Sequence, residues 1–459
     1  MLLTNLSFAQ CWSKVAVGED HTVAIASNGS LWAWGLNNVG QLGNGTYVSS
    51  NTPIQIGTST DWTDIDAGED FTVALRASGL TGGNKTLWTW GSNNSQQLGG
   101  GGLAYRNYPL QVGTNQKWVE ISAGSEHVIA IQDSGTVFSQ GNRTLWAWGS
   151  NQYYQLGFEG LPSVSVSAPF QVGTNINWSK VSAGNEFSLA RKTDGTLWSW
   201  GRNNFGQLGL NYISNDVPVR TQIGTSTSWS TNIAAGGNFA LALLTNGTLF
   251  AWGQNNVGQL GIGSTTNQMQ PTLVGTNFNS ISAGGGHSLA INVSNNIMAF
   301  GYGFFGQLGF GNNNNLNVPM QLNFLGPYSK VAANNSHSIA IKSDGTLWAF
   351  GKNVNGQLGD GTTINKNIPT QIFCPNALEI KEQQSEINFK IFPNPSSNGL
   401  FSIESKIAIK NITAFDILGK QIDVAQSNNS YQINASTGIY MLKIIDVDGN
   451  SQIKKILIK

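Results

Sequence analysis

The chain has four histidines, His21, His127, His287 and His337, and each is followed three residues later by an alanine in the same local pattern. Imidazoles could move protons or bind a metal, but three further copies of the pattern carry Phe71, Phe187 and Phe239 in that slot, and a phenyl ring does neither. The slot therefore reads as a packing position. A zinc ring, the alternative, needs three or four ligands converging on one point. Acidic residues gather just before the same slot: Glu19, Asp20, Glu69, Asp70, Glu126 and Glu186. Two carboxylates facing each other across a cleft could hydrolyse a glycosidic bond. If the turns that hold these acids share one face, they form an acidic crescent, read first as solvated surface and second as a binding contact. No Ser-His-Asp order, HExxH, or phosphate-cradling Gly loop ahead of a helix occurs. Asp446-Val-Asp-Gly-Asn450 begins like a calcium loop but lacks the distal Glu and reads as a hairpin, and Gly99–Gly102 reads as a turn. The residues assign no catalytic group, no metal and no cofactor.

These side chains are carried by a repeat. Gly40-Gln-Leu-Gly43 recurs at Gln96, Tyr154, Gly206, Gly258, Gly306 and Gly356, giving seven copies spaced 48 to 58 residues apart. Upstream of each lies Trp34, Trp90, Trp148, Trp200, Trp252, Phe300 or Phe350 followed by Gly. Asn28-Gly29, Asp194-Gly195, Asn246-Gly247 and Asp344-Gly345 sit between short apolar runs, the signature of tight hairpins. In Leu31-Trp-Ala-Trp34 neither face is polar, so that strand is expected to be buried on both sides. Seven units of about four strands, without helical periodicity, predict an all-β fold, a seven-bladed β-propeller spanning residues 11–374.

The chain ends predict how the ring closes. Pro-led strands such as Pro53-Ile-Gln-Ile56 precede the Trp that opens the next unit, whereas Trp12 has none before it and a spare one, Pro369-Thr-Gln-Ile-Phe373, follows the seventh unit. The expectation is that this last strand completes the first blade and removes an open edge. Cys11 and Cys374 occupy the slots that, at internal junctions, lie three residues apart across a turn, as Thr58 and Asp61 do. Such residues come within disulfide reach, which predicts a Cys11–Cys374 bridge and an oxidising compartment.

Composition narrows the function. With 40% apolar residues and 24 charges of each sign, the chain has material for a large core and no bulk field to attract phosphate backbones or anionic lipid. Nucleic acid is excluded as a first reading, and no apolar run is long enough for a transmembrane segment. Ser7-Phe8-Ala9 has the small-x-small form of a signal-peptidase site, so residues 1–10 read as a signal-peptide remnant. After Cys374 the character changes, for residues 375–459 carry 17 of the 48 charges and none of the 15 Trp. Residues 375–387 read as a linker, and residues 388–459, with alternating strands and turn signals, as a small Ig-like β-sandwich.

Asn334-Asn-Ser-His-Ser-Ile-Ala-Ile341, Asp344-Gly-Thr-Leu-Trp-Ala-Phe-Gly351 and Gly356-Gln-Leu-Gly-Asp-Gly361 resemble the repeat unit of the regulator of chromosome condensation family over residues 12 to 373. The resemblance implies the seven-bladed ring and leaves activity open. Phe392-Pro-Asn-Pro395, Gly399-Leu-Phe-Ser-Ile403, Asp416-Ile-Leu-Gly-Lys420, Gly438-Ile-Tyr-Met-Leu-Lys443 and Lys454-Lys-Ile-Leu-Ile-Lys459 resemble the type A C-terminal sorting domain of the type IX (Por) secretion system of Bacteroidota. On that resemblance Pro393, Asn394, Pro395, Gly399, Gly419, Lys420, Gly438, Tyr440, Lys454 and Lys455 form the sorting motif. The implied partners are the type IX secretion machinery and its sortase-like peptidase, and the implied location is outside the cell or on its surface, reached through the periplasm.

Two blades carry hairpin insertions, Leu80 to Thr86 and Val137 to Thr144, which offer Leu80, Lys85, Gln140 and Arg143 as candidate contacts beside Glu19, Asp20, Glu69 and Asp70. The leading expectation is a non-enzymatic, secreted or surface propeller that binds an extracellular protein or glycan. The rival is a secreted hydrolase or lyase acting on polysaccharide, with its site on one propeller face.

Overall fold

The computed structural model describes residues 11–78, 84–114, 117–134, 142–160, 163–324, 326–374, 389–405, 408–416, 420–427, 430–447 and 451–459. Residues 1–10 and the linker at 375–387 lie outside these, as do Leu80, Gln140 and Gly419. The chain divides into two compact units, Met1–Cys374 and Pro375–Lys459.

In the first unit the described residues form seven antiparallel four-stranded sheets, each with its strands in chain order. The first comprises Trp12–Val17, His21–Ala26, Leu31–Gly35 and Ser50–Gln55. Its second and third strands are buried along their whole length, so large and small apolar residues alternate without a polar face. Innermost strands touch in sequence around the ring, and the seventh, Tyr328–Asn334, touches the first. Within the first and second sheets tryptophans meet edge-to-face, Trp12 against Trp32 and Trp34 and Trp62 against Trp88 and Trp90, and these rings pack on the preceding sheet, through Ile339, Ile341 and Leu347 for the first and Val23, Ile25 and Leu31 for the second. Each outermost strand carries a proline, from Pro53 to Pro369, which denies a ladder donor to any strand that would add there.

The closure differs from the sequence expectation. Ser50–Gln55 pairs with Leu31–Gly35, and Lys366–Ile372 pairs with Leu347–Gly351, so every Pro-led strand completes its own blade and none is exchanged. The Pro-led strand follows its partner through a long loop, and proximity in sequence to the next Trp misleads. Closure comes from packing and from the Cys11–Cys374 disulfide, whose Cα atoms lie 6.0 Å apart. Across the same joint Trp12 N, beside the disulfide, donates to Gly345 O at 3.3 Å, and at the other end of that strand Asn334 Nδ2 donates to Val17 O at 2.8 Å.

In the second unit Lys390–Phe392, Leu400–Glu404, Ser430–Ile433 and Val424–Ser427 form one sheet, in that spatial order. Gln421–Ile422, Ile409–Asp416, Gly438–Asp446 and Ser451–Ile458 form the other. Phe401, Tyr431, Leu442, Ile444 and Ile456 join them in one core, a small sandwich. The two strands at 424–427 and 430–433 are only four residues each, and their apolar residues, Val424 with Ala425 and Tyr431 with Ile433, are too few to show a period.

Candidate functional site

The Gly-Gln-Leu-Gly turn links each blade to the next. Gly359 has φ +79°, and a Cβ there would sit 2.7 Å from Trp34 Nε1, so the position excludes side chains both by conformation and by space. That approach lets Trp34 Nε1 donate to Gln357 O at 3.0 Å; Trp90, Trp148, Trp200 and Trp252 make the same bond to Gln41, Gln97, Gln155 and Gln207.

The histidines complete these joints. Thr22, Thr72, Ser188 and Ser338 each donate their hydroxyl to one of these Gln carbonyls or to the equivalent Gln307 O, at 2.8 to 3.0 Å. With its proton so used, the hydroxyl can only accept from the imidazole, which fixes Nε2 as the protonated nitrogen of His337, His21, His127 and His287 at 2.8 to 3.1 Å. The four rings thus point successively into the next blade instead of converging. Burial lowers the imidazole pKa to about 3 in His21, His127 and His337 and to about 4 in His287, so all four are neutral. Among the described residues no group of three His, Cys, Asp or Glu is placed to hold a metal ion.

The acidic turns do share one face. In every blade the residue before the His/Phe slot accepts a backbone N–H from the residue after the third strand's conserved Gly, as in Leu36 N to Asp20 O and Tyr302 N to Gly286 O, both 2.8 Å. This bond places all seven first turns and all seven third-strand loops at one end of the ring. Asp20 pairs with Lys352 Nζ at 2.8 Å, Asp70 accepts from Gln41 Nε2 at 3.0 Å, and Glu126 accepts from Ser95 Oγ at 2.9 Å. Glu186 pairs with Arg202, whose guanidinium lies 4.5 Å from the Tyr153 ring centroid. Glu69 reaches solvent, yet its pKa is raised to about 8, first by loss of hydration at the channel mouth and then by its hydrogen bond and repulsion with Glu19 and the charges of Asp70 and Glu126.

Below these acids a polar channel of about 370 Å³ follows the ring axis between the inner strands. Asp66 on its wall accepts from Ala67 N and Ala123 N at 2.9 Å and from Ser122 Oγ at 3.1 Å, and burial raises its pKa to about 6. A second hollow of about 250 Å³ opens beside it between Glu69, Glu126, Glu186, Arg202 and Asn238. Where blades one to four offer acids, blades five to seven offer Asn238, Gly286 and Ser336, and the third-strand loops of blades six and seven expose apolar groups. Phe304 is 59% exposed, stacks on Tyr302 at 6.2 Å and meets Phe305 edge-on at 5.2 Å; Val354 is 53% exposed. Sequence reasoning passed over this aromatic group, although its signal was visible: Phe304 stands where most loops have Asn.

The hairpin candidates lie elsewhere. Lys85 pairs with Ala77, and Arg143 with Asp133, in the extensions between second and third strands, at the opposite end of the ring from the acids. Arg143 Nε binds Asp133 Oδ2 at 3.0 Å across its own hairpin. The structure therefore separates Lys85 and Arg143 from Glu19, Asp20, Glu69 and Asp70. In the tail, Pro393, Asn394 and Pro395 come against the last strand, which carries Lys454 and Lys455. Asn394 Nδ2 donates to Lys455 O at 2.7 Å and Leu457 N donates to Asn394 Oδ1 at 3.0 Å. Gly399 contacts Ile433, Gly438 opens the strand that pairs with the last one, and Tyr440 donates to Ser436 O at 2.7 Å; Lys420 N bonds Asp416.

The family model described as the RCC1-like domain matches residues 142–388, more than half of the chain. The chain belongs to the RCC1-like domain family. Regulator of chromosome condensation (RCC1) repeats match residues 12–41, 28–75 and 85–131 in addition, and the secretion system C-terminal sorting domain matches residues 390–459. Among curated proteins the RCC1-like chain is similar to the Ultraviolet-B receptor UVR8 of Arabidopsis thaliana, 29% identical over 57% of each chain. It is also similar to the E3 ubiquitin-protein ligase HERC2 of Homo sapiens, 28% identical over 57% of this chain and 5% of that protein. It thus spans just over half of one relative's length and a small part of the other's. Solved structures share the fold: human WBSCR16, with TM-score 0.65 and 23% identity over 75% of this chain and 95% of that one. Prp20p of Saccharomyces cerevisiae matches with TM-score 0.65 and 19% identity over 85% and 92%. Among the described residues no helix is long and apolar enough to cross a membrane.

Proposed function

We propose that this RCC1-like propeller is a non-enzymatic binding module, secreted or held at the cell surface by its sorting domain, that engages an extracellular protein through the face carrying the acidic turns. The observation that supports this is the division of that face: carboxylates from blades one to four crowd one part of it, and Tyr302, Phe304, Phe305 and Val354 expose apolar surface in the loops of blades six and seven. Crowded carboxylates that hold Glu69 partly protonated favour a partner with Lys or Arg side chains, which would relieve the repulsion. Aromatic anchors beside a charged patch are the composition of a binding surface. A glycan partner is the finer alternative, and a polysaccharide hydrolase would require an acid pair working across the hollow between Glu126 and Glu186.

The test presents the purified chain to basic and acidic peptides on a surface, and to a glycan array, beside two variants. Phe304→Ala with Glu126→Gln should weaken capture of basic peptides at least tenfold, and trimming the hairpins at Lys85 and Arg143 should leave it unchanged. Capture that ignores the first pair and follows the hairpins would sink the assignment of this face. Turnover of a polysaccharide, abolished by Glu126→Gln, would replace it with the enzymatic reading.

A further inference from the structure

The last strand of the tail, Ser451–Ile458, pairs on one side with Gly438–Asp446. Its other side would be a free edge, a row of backbone donors and acceptors open to any passing strand. The segment Asn394-Pro-Ser396 closes it. Besides the two Asn394 bonds to Lys455 O and Leu457 N, Ser396 N donates to Leu457 O and Lys459 N donates to Ser396 O, each at 2.8 Å. Ser396 and Ile458 form a parallel bridge. Ser396 is fully buried, and its hydroxyl donates to Leu400 O at 2.9 Å, which anchors the segment from behind.

The residue types explain the device. Pro393 and Pro395 have no N–H to offer a neighbouring strand. The Asn394 carboxamide supplies the missing pair, one donor and one acceptor, and so stands in for a peptide group. Aspartate would keep the acceptor and lose the donor. The outward-facing groups of residues 455, 457 and 459 are thereby satisfied in turn, by a segment that lies about 60 residues earlier in the chain.

We propose that Asn394 and Ser396 are positioning residues for export: they clamp the last strand, and the secretion apparatus engages that strand, with its exposed Lys455, in the clamped form and not as a linear peptide. This rests on reading the tail as an export signal. The two ends of the sorting motif, remote in sequence, form one composite surface with a single geometry.

The test uses the full chain, expressed in a bacterium that has the type IX system, with Asn394→Asp, Asn394→Ala and the control Asn398→Ala, which lies in the same loop and is not bonded to the last strand. Amide exchange at Leu457 and Lys459 is measured on purified protein, and the exported fraction is measured in culture. Exchange at Leu457 should accelerate about tenfold or more in Asn394→Ala and less in Asn394→Asp, with the thermal unfolding midpoint of the tail unchanged and Asn398→Ala like wild type. Export should fall in the same order. If Asn394→Ala fails to fold, Asn394→Asp carries the comparison. Export that stays at the wild-type level while Leu457 loses protection overturns the clamp and leaves the export reading standing. Failure of the wild-type chain to leave the cell removes the export reading itself.

Discussion

His127 and Ser188 show how a single pair joins two blades. A histidine in the slot is matched in the next blade by Thr72, Ser188, Ser338 or Thr22, whereas Phe71 and Phe187 meet Val128 and Ala240 there; Phe239 is the exception, with Ser288 in the corresponding position of the next blade. The alternation of His with Phe, which sequence reasoning took as packing, follows this partner in six of the seven blades, and the relation is legible only once neighbouring blades are known to touch. His127→Phe and Ser188→Ala should each destabilise the ring by about 1–3 kcal/mol, and the double variant by less than their sum, with a coupling of at least about 1 kcal/mol in a denaturant double-mutant cycle. Glu69 gives the second prediction at this scale. Its folded pKa, about 8, lies above the ordinary value of 4.5, so the native state binds the proton more tightly than the unfolded chain. The stability it contributes is complete below about pH 4.5 and is lost as pH rises through about 8. Glu69→Gln should therefore raise the unfolding temperature relative to wild type by about 1–3 °C at pH 9 and leave it unchanged at pH 4, by calorimetry. A larger gain at pH 4 would contradict the crowding of Glu19, Asp70 and Glu126 around it.

Among elements, the Gly-Gln-Leu-Gly turn matters most, because it lies in one blade and packs on an aromatic ring of the next, an indole in five joints and Phe300 or Phe350 in the other two. Gly359→Ala must place a Cβ at φ +79° against Trp34, and it should cost about 2 kcal/mol or more, read from the urea midpoint with an unchanged slope. Gly45→Ala, with φ +82° and nothing within 4 Å, should cost about 1 kcal/mol, the conformational part alone. The turn was legible as a seven-fold repeat. Which strand belonged to which sheet was not, since the outermost strand sits after a long loop and before the next Trp, and only hydrogen bonding assigns Ser50–Gln55 to the strand before it. The short strands of the tail escaped for a related reason. An edge strand such as Val424–Ser427 buries too little to show alternation.

For the whole molecule, the seventh-to-first joint is unlike the other six in lacking a connecting chain. The disulfide, Asn334, Lys352 and Gln357 hold it together. Cys11→Ser with Cys374→Ser, or reduction, should lower stability by about 2–5 kcal/mol, seen as a shift of the urea midpoint on adding reductant. Exchange at backbone amides of Trp12–Val17 and Tyr328–Asn334 should rise first, because the ring opens at that joint. An equal rise in all seven inner strands would show that closure is shared evenly instead. The division of one face into acidic and aromatic parts also belongs to this scale, for each blade contributes only a few residues to it.

Period, turn chemistry and apolar spacing settled the all-β class and the seven units, because each depends on residues close in sequence or on a motif repeated many times; the cysteine pairing followed from comparing the chain ends with the repeated junctions, and the sorting tail from the resemblance of its motifs to a known family. Pairings between blades, the end of the ring to which each loop points, and the Asn394 clamp on the last strand depend on groups remote in sequence, from 31 residues apart for Thr72 and Gln41 to 335 for Thr22 and Gln357. Their partners are chosen by packing and by the need to satisfy buried donors, and no local pattern records that choice.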